Sequence, residues 1–191
     1  MRWVSAEGQL LRCPSALRAA TSREDPGTEE VFCLEAPFGR IHLFWKQGLL
    51  KSIELEPGSG PQKSNPRSFP QGLDPRLESI VEWVMAYLQE PTTPAPLSWT
   101  GFGTPYQQRV YTALQAIPVG SVVTYGALAR QLETGPRALA GALRANRLPL
   151  LIPCHRVIAA QGIGGFCGQA QGDRVGIKRW LLAHEGALSD F

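Results

Sequence analysis

The sequence predicts a mixed α/β (α+β) chain in two parts, a small sheet-and-helix domain followed by a helical domain with a helix-turn-helix. Three observations predict it. Residues 31–56 form short apolar or partly alternating runs separated by Pro37-Phe38-Gly39 and Lys46-Gln47-Gly48, as antiparallel strands joined by tight turns do. Beyond residue 105 the apolar spacing becomes helical, and cap and turn residues divide it into short helices. Between these regions, Glu90 to Pro96 is rich in Pro and Thr and marks a boundary. A length of 191 residues suffices for one domain or two small ones with a real core.

Met1 to Glu30 shows little periodicity and is expected to be an N-terminal extension. Val31–Leu34, Ile41–Trp45 and Leu49–Leu55 are the expected strands. Pro57 to Pro75, rich in Pro, Gly and Ser, predicts a long exposed loop. Pro75 to Leu88 predicts an amphipathic helix, because Leu77, Ile80, Val81, Val84 and Leu88 recur at helical spacing. Tyr106 to Ile117 predicts the next helix, broken by Pro118-Val119-Gly120. Thr124 suits the N-cap of a helix from Tyr125 to Leu132. Glu133-Thr134-Gly135 turns the chain, and Pro136 suits the first position of a second helix reaching about Asn146. The apolar run Leu148 to Ile152 reads as a buried strand ending ahead of Cys154. Gln161 to Gly168 is a glycine-rich loop, and Val175 to His184 is the closing helix, stopped by Gly186. The expected division is 1–30, 31–98 and 99–191.

Charge separates the parts. From Thr100 onward nine Lys or Arg face four Asp or Glu, a net +5, whereas the first 99 residues carry a net −2. A polyanion site therefore belongs in the second part. The helix from Pro136 carries Arg137 and Arg144, with Arg147 just beyond it, among the small residues Ala138, Ala140, Gly141, Ala142 and Ala145. Small residues serve either close helix packing or the approach of a helix backbone to a nucleic-acid groove, and the pattern leaves both open. Cys13, Cys33, Cys154 and Cys167 match neither a CxxC site nor a disulfide frame. The histidines, His42, His155 and His184, are too few for an evident zinc cluster. With no 18-residue apolar run and no signal-sequence pattern, a soluble, intracellular, non-membrane protein of a reducing compartment is expected.

Most of the chemistry lies in Pro153-Cys154-His155-Arg156. A nucleophilic cysteine needs thiolate character and access, which an adjacent imidazole and a helix start can favour. Glu185, near the end of the closing helix, could take the far imidazole N–H, fixing the tautomer and raising its basicity. A buried structural thiol is the plain alternative.

Ile152 to Val157 (IPCHRV), Asn146 eight residues before the cysteine, Thr124 to Ala129 (TYGALA) and Lys178 to Gly186 (KRWLLAHEG) together resemble the O6-alkylguanine-DNA alkyltransferases, or methylated-DNA–protein-cysteine methyltransferases. The likeness covers Gly103 to Gly186 closely, and extends to Val31–Leu88 through Ala36-Pro37-Phe38-Gly39 and Lys46-Gln47-Gly48-Leu49. The resemblance implies an RNase H-like first domain and a DNA-binding alkyltransferase domain with a winged-helix or helix-turn-helix element. It implies repair of O6-alkylguanine, with O4-alkylthymine a second candidate, by irreversible stoichiometric alkyl transfer after nucleotide flipping.

By that resemblance Cys154 is the acceptor, His155 its water-mediated base, Glu185 the residue that orients His155, and Asn146 the brace of the active-site turn. Tyr125 would help protonate guanine N3 and crowd the phosphate backbone. Arg137 would replace the flipped nucleotide in the duplex. Ala138, Arg144 and Arg147 would lie with it on the DNA. Pro149, Val157, Phe166 and Cys167 would form the base and alkyl pocket. No metal or other cofactor is implied. The implied partner is double-stranded DNA containing O6-alkylguanine, and the protein a monomer, in the cytoplasm if prokaryotic and the nucleus if eukaryotic.

The sequence departs from the family in places. Phe166 stands where tyrosine is usual, Cys167 where serine is frequent, Arg147 where proline is common, and the link Gln169–Ile177 is longer. Three rivals are a lesion-binding relative lacking the acceptor cysteine, a transcription regulator and a cysteine hydrolase. The presence of Cys154 opposes the first, and single turnover on alkylated DNA separates the family reading from the others.

Overall fold

The computed structural model describes Arg18–Ala19 and residues 29–58, 73–96 and 102–187. Four antiparallel strands lie in sequential order: β1 (Arg18–Ala19), β2 (Glu30–Ala36), β3 (Gly39–Lys46) and β4 (Leu49–Pro57). In β3 burial alternates, so Ile41, Leu43 and Trp45 face the core. The β2–β3 turn needs glycine: Gly39 has φ +138°, and a Cβ there would collide with the Glu56 carbonyl. Gln47 and Gly48 both take positive φ, 51° and 71°, matching the mirror-image turn that suits a two-residue hairpin.

The helix α1 (Pro75–Gln89) starts at Asp74, whose carboxylate accepts from the Arg76 amide. It buries Leu77, Ile80, Val81, Trp83, Val84 and Tyr87 in the core shared with the strands. The expected loop before α1, the connection around 97–101 and most of the N-terminal extension lie outside the described residues, apart from β1, which pairs with β2.

The second part opens with α2 (Pro105–Gln115), whose Thr104 and Gln107 form a reciprocal capping box. Then follow β5 (Val123–Thr124), α3 (Tyr125–Gln131), α4 (Pro136–Arg144), a 3-10 turn at Cys154–Arg156, β6 (Val157–Ile158) and α5 (Asp173–His184). Thr124 caps α3 by accepting from the Ala127 amide, as the sequence predicts. β5 and β6 pair in parallel, Val123 with Val157 and Thr124 with Ile158, which ties the start of α3 to the turn carrying Cys154.

Two expectations need correction. Leu148 to Ile152 is a tight turn and not a strand: Leu150 has φ +76°, and the Ile152 amide donates to the Leu148 carbonyl at 2.9 Å. Pro149 and Pro153 have no N–H to give a ladder, which explains why an apolar run fails to extend. The closing helix begins at Asp173, two residues earlier than expected, so part of the long link is helical.

The two parts share one core. The Ile53 amide of β4 donates to the Arg147 carbonyl at 2.8 Å, and Phe38 meets the edge of Trp180 at 5.1 Å. Among the described residues no helix is long and apolar enough to cross a membrane.

Candidate active site

Cys154, His155 and Arg156 are buried in succession. The turn ahead of them is closed by Asn146, whose amide donates to the Ile152 carbonyl at 2.9 Å and accepts from the Leu148 amide at 3.0 Å. The β5–β6 pair holds the chain behind them.

Glu185 gathers the hydrogen bonds of the site. Its Oε1 lies 2.9 Å from His155 Nε2, and Arg156 grips both carboxylate oxygens, each at 2.9 Å. The Tyr87 hydroxyl donates to the same Oε1 at 2.7 Å. Burial pushes the Glu185 carboxyl up, but the bonds from His155 and Arg156 outweigh it and bring the pKa down to about 2. A charged carboxylate only accepts, so His155 must carry its proton on Nε2. Its Nδ1 is then an unprotonated lone pair, buried and without a hydrogen-bond partner among the described residues. Burial also lowers the His155 pKa, and Glu185 opposes this only in part, so the imidazole is held neutral. Glu185 is aimed inward because α5 ends in a left-handed Gly186 (φ +74°), with Gly186 and Ala187 amides returned to Ala183 and Leu182.

The Cys154 thiol has its pKa lowered. The largest cause is the hydrogen bond from Cys167; burial opposes it, and Asn146 and the charge of Lys178 assist. The Cys167 thiol, as the donor of that bond, is pushed up. Lys178 is fully buried, and its ammonium donates to the Val157 carbonyl at 2.6 Å and the Gly165 carbonyl at 3.1 Å. Burial lowers it to about 8. Lys178 thereby ties the glycine-rich loop to β6.

Cys154 borders a cavity of about 170 Å³ with Tyr125, Leu143, Arg144, Phe166 and Cys167. Burial, then the negative charge of Cys154, raises the Tyr125 hydroxyl. Pro149 lies beside this cavity, not in it. It lines a second one of about 320 Å³ toward β4, with Asn146, Arg147, Phe166 and Cys167. Val157 lies outside both, fully buried, with its carbonyl held by Lys178.

The small residues of α4 now have a direction. Leu139, Ala142 and Leu143 face the core, while Arg137, Ala138, Gly141, Arg144 and Ala145 are exposed. A Cβ on Gly141 would meet nothing within 4 Å, so close helix packing does not account for it. Arg137 sits in the first turn and Arg144 in the last. Arg147 is set apart, with its guanidinium over the Phe102 ring at 5.9 Å.

The family described as 6-O-methylguanine DNA methyltransferase, DNA binding domain, matches residues 105–187. A methylated-DNA–protein-cysteine methyltransferase of Cricetulus griseus is 36% identical over 171 residues, covering 79% of each chain. The chain belongs to the methylated-DNA–protein-cysteine methyltransferase family. A DNA base-flipping protein of Thermus thermophilus is 39% identical over 143 residues, 71% of this chain and 92% of that one. Among solved structures, Mycobacterium tuberculosis OGT in complex with DNA superposes with a TM-score of 0.57 at 28% identity, covering 80% of this chain and 90% of that one.

Three residues of this methyltransferase-family site escaped the sequence reading. Arg156 stood inside the recognised motif without a role. Lys178 stood in the closing-helix motif without a role of its own. Tyr87 adjoins Leu88, the position read as apolar helix face, and the only available signal was that a core tyrosine needs a partner for its hydroxyl.

Proposed function

We propose that this methyltransferase-family chain repairs O6-alkylguanine in duplex DNA by taking the alkyl group onto Cys154, once per molecule. The observation that carries the reading is the depressed Cys154 thiol at the edge of a cavity, with an ionised Glu185 holding neutral His155 behind it. The thiol proton passes toward His155 Nδ1. The thiolate attacks the alkyl carbon, the bond from that carbon to O6 breaks, and the electron pair leaves with guanine, whose N3 takes a proton from Tyr125. The product is a thioether, which has no easy reverse path, so the protein is consumed. Asn146 braces the turn, and Phe166 and Cys167 wall the base site, with Pro149 and Val157 behind them.

A stacked base cannot reach a buried thiol, so the nucleotide must be extruded. The exposed face of α4, with Arg137, Ala138 and Arg144, suits a close approach to the groove, with Arg137 filling the gap; Arg147 contributes from beyond its end. The chain acts as an intracellular monomer, divided into 1–30, 31–98 and 99–191. O4-alkylthymine is a second substrate class.

Intact mass after mixing with a duplex containing O6-methylguanine tests this. A gain of about 14 Da, absent in Cys154→Ser, is expected for covalent capture of a methyl group. Binding of the duplex without a mass change would favour lesion sensing without transfer.

A further inference from the structure

We propose that Tyr87, on the helix of the first part, is a positioning residue for the alkyl-transfer reaction: its hydroxyl sets the orientation and basicity of Glu185 toward His155. The inference rests on the alkyl-transfer reading above. Tyr87 is 98 positions from Glu185 in sequence, yet its hydroxyl donates to Oε1 at 2.7 Å with both groups buried. That oxygen is the one His155 uses. The tyrosine is therefore not satisfied by any convenient carbonyl; it shares the acceptor of the reaction's own base.

Its place is fixed from both parts of the molecule. The Tyr87 ring packs on Trp83 and meets His184 edge-on, each at 5.6 Å. His184 Nε2 bonds the Tyr87 carbonyl at 2.7 Å. Trp180 stacks on His184 at 4.8 Å, and Phe38 meets the edge of Trp180 at 5.1 Å. This aromatic run connects the β2–β3 turn to the hydroxyl that ends on Glu185. Burial, then Glu185 itself, pushes the Tyr87 hydroxyl up, so it remains a donor at any working pH.

The chemistry follows from competition for one oxygen. Arg156 fixes the plane of the carboxylate through both oxygens. Tyr87 adds a neutral donor to Oε1, which restrains rotation and weakens that oxygen as a partner for imidazolium. Removing the hydroxyl loosens the carboxylate and lets Glu185 favour the charged form of His155 more strongly. The titratable and charged groups around His155 and its carboxylate are Lys178 of α5 and Glu185 at its C-cap, Cys154 and Arg156 of its own turn, and Tyr87 of α1. Among the described residues, only Tyr87 of this set comes from the first part.

Single-turnover methyl transfer from an O6-methylguanine duplex, measured across pH at saturating protein, tests this. Tyr87→Phe is expected to slow transfer roughly tenfold and move its acid limb to higher pH. Duplex affinity should stay within about twofold, since no DNA-facing group changes. Val84→Ala, on the same helix but away from Glu185, should lower the melting temperature without moving the limb. His184→Ala, which unseats Tyr87 but leaves its hydroxyl, should move the limb the same way by less, and keeps the inference open to refutation if Tyr87→Phe does not fold. Coincident profiles for Tyr87→Phe and wild type, or an equal shift in Val84→Ala, would overturn the inference. Failure of the wild-type protein to take up any methyl group would instead overturn the alkyl-transfer reading.

Discussion

His155 and Glu185 meet side chain to side chain, Nε2 to Oε1 at 2.9 Å, with neither side chain reached by solvent. The contact selects the tautomer that leaves Nδ1 unprotonated, free to serve as the base of the proposed transfer. Glu185→Gln keeps the shape and removes the charge. It is expected to slow methyl transfer by about 100-fold or more, the lower range for losing an effective general base. It also leaves Arg156 without its counter-charge, so stability should fall by roughly 3–5 kcal/mol, seen as a lower melting temperature. A variant that melts early but transfers at the normal rate would show that Glu185 only holds the fold.

Burial lowers the His155 pKa from its ordinary 6.5, and the Glu185 bond does not restore it. The imidazole therefore stays neutral, and able to accept a proton, below the pH at which a free histidine would be half charged. The rate of methyl transfer should remain level from neutral pH down past 6.5 and decline only below it. The measurement is a single-turnover pH profile at constant ionic strength. A midpoint at or above 6.5 would mean that the carboxylate, not burial, dominates.

How much of this was legible in the sequence depends on distance along the chain. β2, β3, β4, α1, α3 and α4 are encoded by local period and by caps such as Thr124 and Pro136, so they were predictable within a few residues, whereas the two-residue strands β1, β5 and β6 are too short to leave a pattern. Cys154, His155 and Glu185 were found because family motifs flank them. Periodicity failed at Leu148–Ile152, where Pro149, the following Pro153 and a left-handed Leu150 turn an apolar run into a buried loop. Tyr87 and Lys178 were missed because their roles depend on partners 98 and 21 residues away, and helix pattern does not encode what a buried polar tip will reach.

Arg137 is exposed in the first turn of α4 and has no share in the buried relay. Its expected work is on the duplex alone. Arg137→Ala should reduce transfer from O6-methylguanine in duplex DNA by about tenfold or more, the cost of losing the residue that fills the stack. The same variant should react normally with a free O6-alkylguanine base, which needs no extrusion. Equal losses on both substrates would place Arg137 in the folding of α4 instead.

Acid stability offers a test of the buried carboxylate that does not involve DNA. The Glu185 pKa falls from 4.5 to about 2 in the folded protein. A depressed carboxylate gives stability that is complete above the unfolded value and lost as pH falls through the folded one. The window is therefore from about 4.5 down to about 2, and the shift corresponds to about 3 kcal/mol. His155 adds in the same direction at higher pH, because an imidazole depressed by burial loses stability as pH drops below its ordinary 6.5. Urea unfolding between pH 7 and 2 should show both slopes in the wild-type protein. In Glu185→Gln the lower slope should be missing, while the overall stability starts from a reduced value. Persistence of the lower slope in that variant would assign it to other carboxylates, such as the His42-paired Glu56, and remove Glu185 from the account of acid unfolding.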